Sequence, residues 1–164
     1  MTVEALIRHY QLAPHPEGGW YREVHRSPKL VHRGDGEPRP GLTAILFLLP
    51  AGEISRWHRV SGADETWHHA GGDPLELLCL PPAGGELRRQ RLAGVSSALL
   101  ALEPDARPEP LAIVPDGWWQ AARSVGAWSL VSCCVGPGFD FADFTLLRSL
   151  PASQHPPGAL ASFL

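Results

Sequence analysis

The sequence lacks any apolar stretch that approaches the ~20 residues needed for a membrane-spanning helix. Its first residues also lack the basic start and apolar run of a secretory signal. The 14 Lys and Arg residues are mostly Arg and are scattered along the chain, and the net charge is −3. Nucleic acids and anionic membranes bind to concentrated basic patches, so we expect neither as a partner.

The sequence also lacks an even number of cysteines, since it contains 3. Cys133 and Cys134 are adjacent in an apolar run, and neighbouring residues of a strand point to opposite faces, so they do not readily bridge each other. Cys79 lies in another apolar run. This pattern predicts buried free thiols in a reducing compartment, which favours a cytoplasmic protein.

Charged residues make up only 19% of the 164 residues, and apolar residues make up 44%. A chain of this length and composition buries enough surface to fold without disulfides or metals. We expect one domain over residues 1–150. Residues 151–164 are rich in Pro, Ala and Ser, and this composition predicts a loosely ordered C-terminal tail.

Elements of secondary structure are predicted from periodicity and from the positions of Gly and Pro. Residues 3–12 have the apolar spacing of a short helix, with Thr2 as its N-cap. Residues 26–41 predict an exposed loop. Short apolar runs between turns predict strands at 20–25, 43–49, 57–60, 65–69, 75–80, 86–92, 111–114, 120–124 and 127–135. This succession is typical of an all-β sandwich or barrel.

The polar residues of three predicted strands indicate a common pocket. His58 and Val60 are two apart and share one face of a strand. Glu65 begins the next strand after a short turn, which we expect to return its carboxylate beside His58. Gln120 opens a strand after a Pro-Asp-Gly turn, a suitable entry to the same barrel mouth. Inward polar groups need partners, since unpaired burial costs roughly 1–3 kcal/mol each.

The spacing of these residues resembles the first cupin motif, in which Gly leads into His-x-His, then Glu, then Gly. Gly52, His58, Glu65 and Gly72 match it, whereas Val60 replaces the second His. Residues 115–120 (PDGWWQ) resemble the second motif, but Gln120 replaces its final His.

The resemblance extends over most of the chain, from about Ile7 to Leu147. It is carried by the segments HPEGGWYRE (15–23), RWH (56–58), ETWH (65–68), GDPLEL (72–77), VP (114–115), GWWQ (117–120) and VGPGF (135–139). Together they are similar to an uncharacterised single-domain cupin family. The resemblance implies a double-stranded β-helix, also called an RmlC-like jelly roll, commonly found as a homodimer. No settled activity attaches to that family.

A cupin metal site typically offers three His and one Glu, so the two replacements bear on cofactors. Val60 has no donor atom, and the neutral amide of Gln120 is a weak ligand beside imidazole. His58, Glu65 and Gln120 would hold any metal, with His68 or His69 as a further donor; by strand parity His69 shares the face of Glu65. A divalent metal is therefore disfavoured, and we expect no cofactor.

Two classes of function remain open from the sequence. The first is a metal-independent isomerase or epimerase with His58 as base, Glu65 as its partner and Gln120 as an orienting group. The second is a non-catalytic protein that binds a small polar or cyclic metabolite. A metal-dependent oxygenase is a weaker third alternative. Ligand contacts are predicted for Arg56, Trp67, His69, Trp119 and Glu17.

Overall fold

The computed structural model describes residues 1–96, 102–103 and 107–164. The chain begins with helix α1 (Val3–Tyr10), whose first turn is capped by Thr2 Oγ1 accepting from Ala5 N at 3.2 Å. The helix ends at Gln11, which adopts a left-handed conformation and returns its N–H to the last carbonyls. Leu6 anchors the helix on the outer face of the main sheet. Among the described residues, no helix is long and apolar enough to span a membrane.

Short strands form the rest of the architecture. In the described part of the chain they are β1 (Ala13–Pro14), β2 (Trp20–Arg26), β3 (Leu30–His32), β4 (Pro38–Pro40), β5 (Thr43–Pro50), β6 (Ile54–Val60), β7 (Asp64–Gly72), β8 (Leu75–Leu80), β9 (Arg88–Leu92), β10 (Leu111–Val114), β11 (Trp119–Ser124), β12 (Trp128–Gly136) and β13 (Phe144–Leu146). The predicted all-β architecture with a short N-terminal helix is confirmed.

Two antiparallel sheets face each other. The larger has the strand order β1-β2-β5-β12-β7-β10, and the smaller has the order β13-β6-β11-β8-β9. From β5 to β8, successive strands alternate between the two sheets. β5 and β7 belong to the larger sheet, and β6 and β8 belong to the smaller one. This alternation winds the two sheets around a shared interior.

The interior is filled at one end and open at the other. Where β8 and β11 pair, apolar side chains from both sheets close the space, including Leu75, Leu77 and Val131, which are all fully buried. Toward the ends of the strands that carry Thr43 and Glu65, the space between the sheets becomes a cavity. The packed end gives the open end a rigid support.

The segment predicted to be an exposed loop, residues 26–41, contains a small hairpin of β3 and β4. Its Arg39 is buried and donates from Nε and Nη2 to Asp143 at 2.7 and 2.9 Å. Most of the segment is exposed, as its abundance of charge predicted, but Arg33 and Arg39 pair with Asp143, which is distant in sequence. The hairpin thereby supports the turn that follows β12.

The C-terminal tail also differs from its prediction. Phe163 is buried, and Trp57 Nε1 donates to the carbonyl oxygen of Leu160 at 3.0 Å. Together with Leu147 these residues form a cluster on the outer face of the smaller sheet. The tail is therefore packed on the barrel, because the outward face of β6 carries an apolar tryptophan that needs covering.

Candidate functional site

The cavity between the sheets has a volume of about 460 Å³, within the usual range of small-molecule sites. Six aromatic side chains line it: Tyr21, Phe47, Trp67, Phe139, Phe141 and Phe144. Its lining residues with a carboxyl, guanidinium or imidazole group are His15, Glu17, Glu23, Arg26, His58, Glu65 and Asp140. An apolar wall with a few converging polar groups is the usual composition of a ligand pocket.

Strand periodicity explains which side chains reach the cavity. Successive residues of a strand alternate between faces, so every second residue of an inward-facing strand lines the interior. On β5 the lining residues are Thr43, Ile45 and Phe47, and on β7 they are Glu65 and Trp67. His58 and Val60 both line the cavity from β6, as their spacing predicted.

Glu17 is the polar centre of the cavity wall. The residue is 5% exposed, and its Oε1 accepts from Ser55 Oγ at 2.8 Å. Oε2 lies 3.2 Å from His58 Nε2 and 3.2 Å from His15 Nδ1. Burial opposes ionisation of Glu17, but the charge of His58 and the contacts with His15 and Ser55 outweigh it, so the pKa lies below its ordinary value.

The turn that carries Glu17 is built against β6. Gly18 and Gly19 have φ angles of +110° and +69°, which residues with a Cβ rarely adopt. A Cβ at Gly18 would collide with the carbonyl oxygen of Ile54. The carbonyl oxygen of Glu17 accepts from Arg56 N at 2.8 Å and from Arg56 Nη1 at 3.1 Å. The two glycines and Arg56 thus bring the Glu17 carboxylate into the cavity.

The protonation of His58 follows from its partners. Nδ1 lies 2.8 Å from the carbonyl oxygen of Arg56, which can only accept, so Nδ1 carries a hydrogen. Nε2, the other ring nitrogen, faces Glu17 Oε2 at 3.2 Å. Burial lowers the pKa of His58, and the charge of Glu17 opposes this without outweighing it. The pKa of His58 therefore lies below its ordinary value, and at pH 7 the ring is mainly neutral with no hydrogen on Nε2.

A β-bulge decides which residues of β6 face inward. β11 pairs Gln120 with His58 but Ala122 with Ser55, so one extra residue lies in β6 between these pairs. Ser55 and His58 consequently both contact Glu17 although they are three apart. Arg56, which regular alternation placed on the face of His58, does not line the cavity. Its predicted contact with an anionic ligand group is replaced by the bonds that hold Glu17.

Glu65 occupies a different environment in the same cavity. Its Oε2 accepts from Gln120 Nε2 at 2.6 Å, and Gln120 Oε1 accepts from Trp67 Nε1 at 2.8 Å. The indole can only donate, so the orientation of the Gln120 amide is determined. Burial, reinforced by the charge of Glu17, raises the pKa of Glu65 to about 8. Glu65 is therefore mainly protonated at neutral pH.

The predicted pairing of His58 with Glu65 is wrong. His58 Nε2 contacts Glu17, and Glu65 contacts Gln120 and the Cys133 thiol, whose own pKa is raised by burial. The motif spacing placed His58 and Glu65 in the same cavity, but it contains no information about Glu17. Glu17 reaches the site from a separate turn near the N-terminus.

The remaining predicted site residues have different positions. Trp67 lines the cavity, and Gln120 lies behind Glu65 and Trp67 without lining it. His69 is not a lining residue, and its Nε2 lies 3.0 Å from the carbonyl oxygen of Asp73. Trp119 faces the outer cluster under the C-terminal tail, because adjacent strand residues alternate and Gln120 points inward. His69 and Trp119 are therefore not placed to contact a ligand in this cavity.

Sequence reasoning missed several lining residues. Alternation along β2 could have indicated Tyr21 and Glu23, since both precede the irregularity that β2 shows against β5. Three phenylalanines after β12 form an edge-to-face cluster, with ring centroids 5.0 Å apart for Phe139 and Phe141 and 5.9 Å apart for Phe141 and Phe144. Their closeness in the sequence was visible, but the way this segment folds back over the barrel mouth was not.

The donor set does not fit a cupin metal. Val60 offers no ligand atom, and both ends of the Gln120 amide are used by Trp67 and Glu65. Both ring nitrogens of His58 are engaged by Arg56 and Glu17. In the described ranges no group of three His, Cys, Asp or Glu residues is arranged to hold a metal ion. The set His58, Glu65 and Gln120 is therefore poorly suited to ligate one.

Two facing antiparallel sheets that enclose a side-chain-lined cavity define a cupin barrel. The family model described as Cupin superfamily (DUF985) matches residues 4–147. The chain therefore belongs to this cupin family, and its fold is the double-stranded β-helix that the sequence motifs implied.

Two solved structures and one curated protein sequence support the same assignment. A hypothetical protein from Leishmania major is 32% identical, with a TM-score of 0.76 and coverage of 97% of each chain. Protein SO0799 from Shewanella oneidensis is 33% identical, with a TM-score of 0.75 and coverage of 90% of this chain and 85% of that one. The uncharacterized yeast protein YML079W from Saccharomyces cerevisiae is 26% identical over 94% of this chain and 79% of its own length.

Proposed function

We propose that the protein is a metal-independent enzyme that moves a proton on a small cyclic metabolite bound in the cavity. Glu17 and His58 form the base, and Glu65 forms the acid. The observation that carries the proposal is the placement of two buried carboxyl groups with different partners in one cavity: Glu17 lies 3.2 Å from His58, and Glu65 accepts from Gln120 at 2.6 Å. These surroundings displace their pKa values in opposite directions. Such a separation is how one site provides a base and an acid at the same pH.

The base side uses the pair of Glu17 and His58. The pKa values of both groups lie below their ordinary values, so at neutral pH the Glu17 carboxylate and the imidazole Nε2 are proton acceptors at the cavity wall. Ser55 and His15 hold the Glu17 carboxylate in position, and the Arg56 carbonyl fixes the ring of His58. A fixed tautomer and orientation are what a catalytic imidazole requires.

The acid side uses the proton of neutral Glu65. Gln120 donates to Oε2, so the hydrogen of the carboxylic acid is carried by Oε1. In the proposed step the base accepts a proton from one substrate atom while Glu65 donates to another. The products are a rearranged substrate, a protonated base and an ionised Glu65, and proton exchange with solvent restores both groups. No electron acceptor or donor is required.

A non-catalytic binding protein with the same pocket is the second candidate. The same side chains would then serve as hydrogen-bond partners for the ligand. The two candidates differ in their response to substitution at His58: the enzyme loses turnover and keeps ligand affinity within about tenfold, whereas the binding protein loses affinity. A metal-dependent oxygenase, the third alternative, requires stoichiometric metal in protein purified without chelator.

The test measures deuterium uptake from solvent. Metabolites that raise the melting temperature of the protein are selected first, since a ligand of the native state stabilises it. Each selected compound is then incubated with enzyme in D2O and analysed by mass spectrometry. We expect enzyme-dependent deuterium incorporation or rearrangement of at least one compound.

The variants Glu17→Gln and His58→Gln are expected to reduce the rate by about 10²–10⁴-fold, the usual contribution of a general base. The matched control is Glu86→Gln, which neutralises an exposed carboxylate between β8 and β9 and leaves the rate unchanged. Stabilising compounds that bind without any exchange or rearrangement would support the binding protein instead. A homodimer and a cytoplasmic location stay predictions, and light scattering of the purified protein tests the first.

A further inference from the structure

The cavity contains an unbalanced set of charges. Among its described lining residues there are four carboxyl groups and one guanidinium group, in addition to two histidines: Glu17, Glu23, Glu65, Asp140, Arg26, His15 and His58. Glu65 is mainly neutral at pH 7, which leaves three carboxylates and one guanidinium group as the charged groups other than the histidines. Arg26 donates from Nε and Nη2 to both oxygens of Glu23 at 2.9 and 2.7 Å. Its Nη1 donates to the carbonyl oxygen of Phe139 at 3.2 Å. The positive charge at the mouth is therefore neutralised by a neighbour.

An anionic ligand would have little to bind to in this arrangement. A phosphate or carboxylate group needs converging donors, usually an Arg fork or backbone N–H groups. Arg56 could have served this purpose, but it holds the Glu17 carbonyl and does not line the cavity. Asp140, at the mouth, instead accepts from Ala142 N at 2.8 Å and adds a further negative charge.

The aromatic lining favours the opposite charge. Aromatic rings carry a negative face, and cations bind against them with energies that increase when solvent is excluded. Phe139, Phe141 and Phe144 form a continuous cluster, and the ring of His15 lies 6.3 Å from that of Phe141. Carboxylates beside a group of aromatic rings are the combination that recognises ammonium groups.

We infer that the ligand of this cavity carries a positive charge, as an amine or quaternary ammonium group on a small ring compound, and that anionic metabolites are rejected. The inference rests on the proposed function only in taking this cavity as the substrate site. It names a substrate class that the proton-transfer proposal leaves open. It also disfavours phosphorylated sugars and nucleotides as substrates.

The test uses three probes of matched shape: benzylamine, benzyl alcohol and benzoate. Their affinities are measured by calorimetry at pH 7, where the amine is a cation and benzoate an anion. We expect benzylamine to bind at least tenfold more tightly than benzyl alcohol, and benzoate to bind more weakly than either. Equal affinities, tighter binding of benzoate, or no binding of any probe at millimolar concentration would overturn the inference.

Variants separate the contribution of charge from that of shape. Phe141→Leu removes an aromatic face at the mouth but keeps apolar volume, so it lowers affinity for benzylamine more than affinity for benzyl alcohol. Asp140→Asn has the same selective effect through lost charge. The control Glu86→Gln leaves all three affinities unchanged.

The two proposals fail separately. If the probes show a preference for the cation but no cationic compound exchanges deuterium, the proposal of a proton-transfer enzyme is overturned and the proposed ligand class is retained. If a neutral or anionic compound exchanges deuterium and the probes show no preference for the cation, the proposed ligand class is overturned and the proposal of an enzyme is retained.

Discussion

Glu17 Oε2 lies 3.2 Å from His58 Nε2, and this contact joins the turn between β1 and β2 to a strand of the smaller sheet. The charge of Glu17 is the main influence that favours protonation of His58 against burial. Removing this charge should therefore lower the pKa of His58 further. We expect Glu17→Gln to shift the His58 titration to lower pH in an NMR experiment on the imidazole carbons.

The matched control for this shift is Glu86→Gln, whose exposed carboxylate lies in the turn after β8, and it should leave the His58 titration unchanged. An unchanged His58 titration in Glu17→Gln would contradict the electrostatic coupling.

Glu65 should make the protein less stable as pH rises. Its pKa is raised from 4.5 to about 8 in the folded protein. Between these values the folded state binds more protons than the unfolded state, so the free energy of unfolding falls with increasing pH. The contribution is complete below about pH 4.5 and is lost as pH rises through about 8, and it amounts to a few kcal/mol.

The measurement compares wild type with Glu65→Gln by urea unfolding at several values between pH 5 and pH 8. Gln at position 65 keeps an acceptor for Gln120 and cannot ionise. We expect the difference in stability to change in favour of the variant as pH rises. Parallel pH dependence in the two proteins would show that Glu65 titrates at its ordinary pKa.

Asp143 connects the β3–β4 hairpin to the turn that carries Phe141 and Phe144. It accepts from Arg39 at 2.7 and 2.9 Å and lies 3.0 Å from Arg33 Nη1. These contacts, the bonds from Arg39 first, lower the pKa of Asp143.

Asp143→Asn should reduce the free energy of unfolding by about 1 kcal/mol, since solvent reaches part of the cluster. It should also weaken binding of whichever compound the thermal screen selects. The control is Asp35→Asn, because Asp35 pairs with Arg33 at 2.7 Å but its side chain is 55% exposed. Urea unfolding should show a smaller loss for this control, and an equal or larger loss would argue against a special role of Asp143.

The C-terminal tail should contribute to stability through Phe163. This side chain is 3% exposed and packs on Trp57 with ring centroids 6.3 Å apart. Phe163→Ala is expected to cost about 3 kcal/mol by loss of burial and creation of a cavity. Leu164→Ala, at a 39% exposed position, should cost less than about 0.5 kcal/mol. A negligible loss for Phe163→Ala in urea unfolding would show that the tail is only loosely attached.

Much of the fold was predictable because local rules and tertiary packing agree. Short apolar runs bounded by Pro predicted the bounds of β8 and β10 at Leu75–Leu80 and Leu111–Val114, as observed. The hairpin within residues 26–41 was missed, because Pro and charge usually mark loops. There the buried pairing of Arg39 with Asp143 outweighs local propensity.

The sequence by itself determined the barrel and the presence of His58 and Glu65 in one cavity, because alternation and motif spacing are local properties. Only the tertiary structure decided their partners. Glu17 reaches His58 through a turn that Gly18 allows, and the bulge in β6 directs Ser55 inward and Arg56 away. Such contacts depend on chain reversals and register shifts, which side-chain periodicity does not encode.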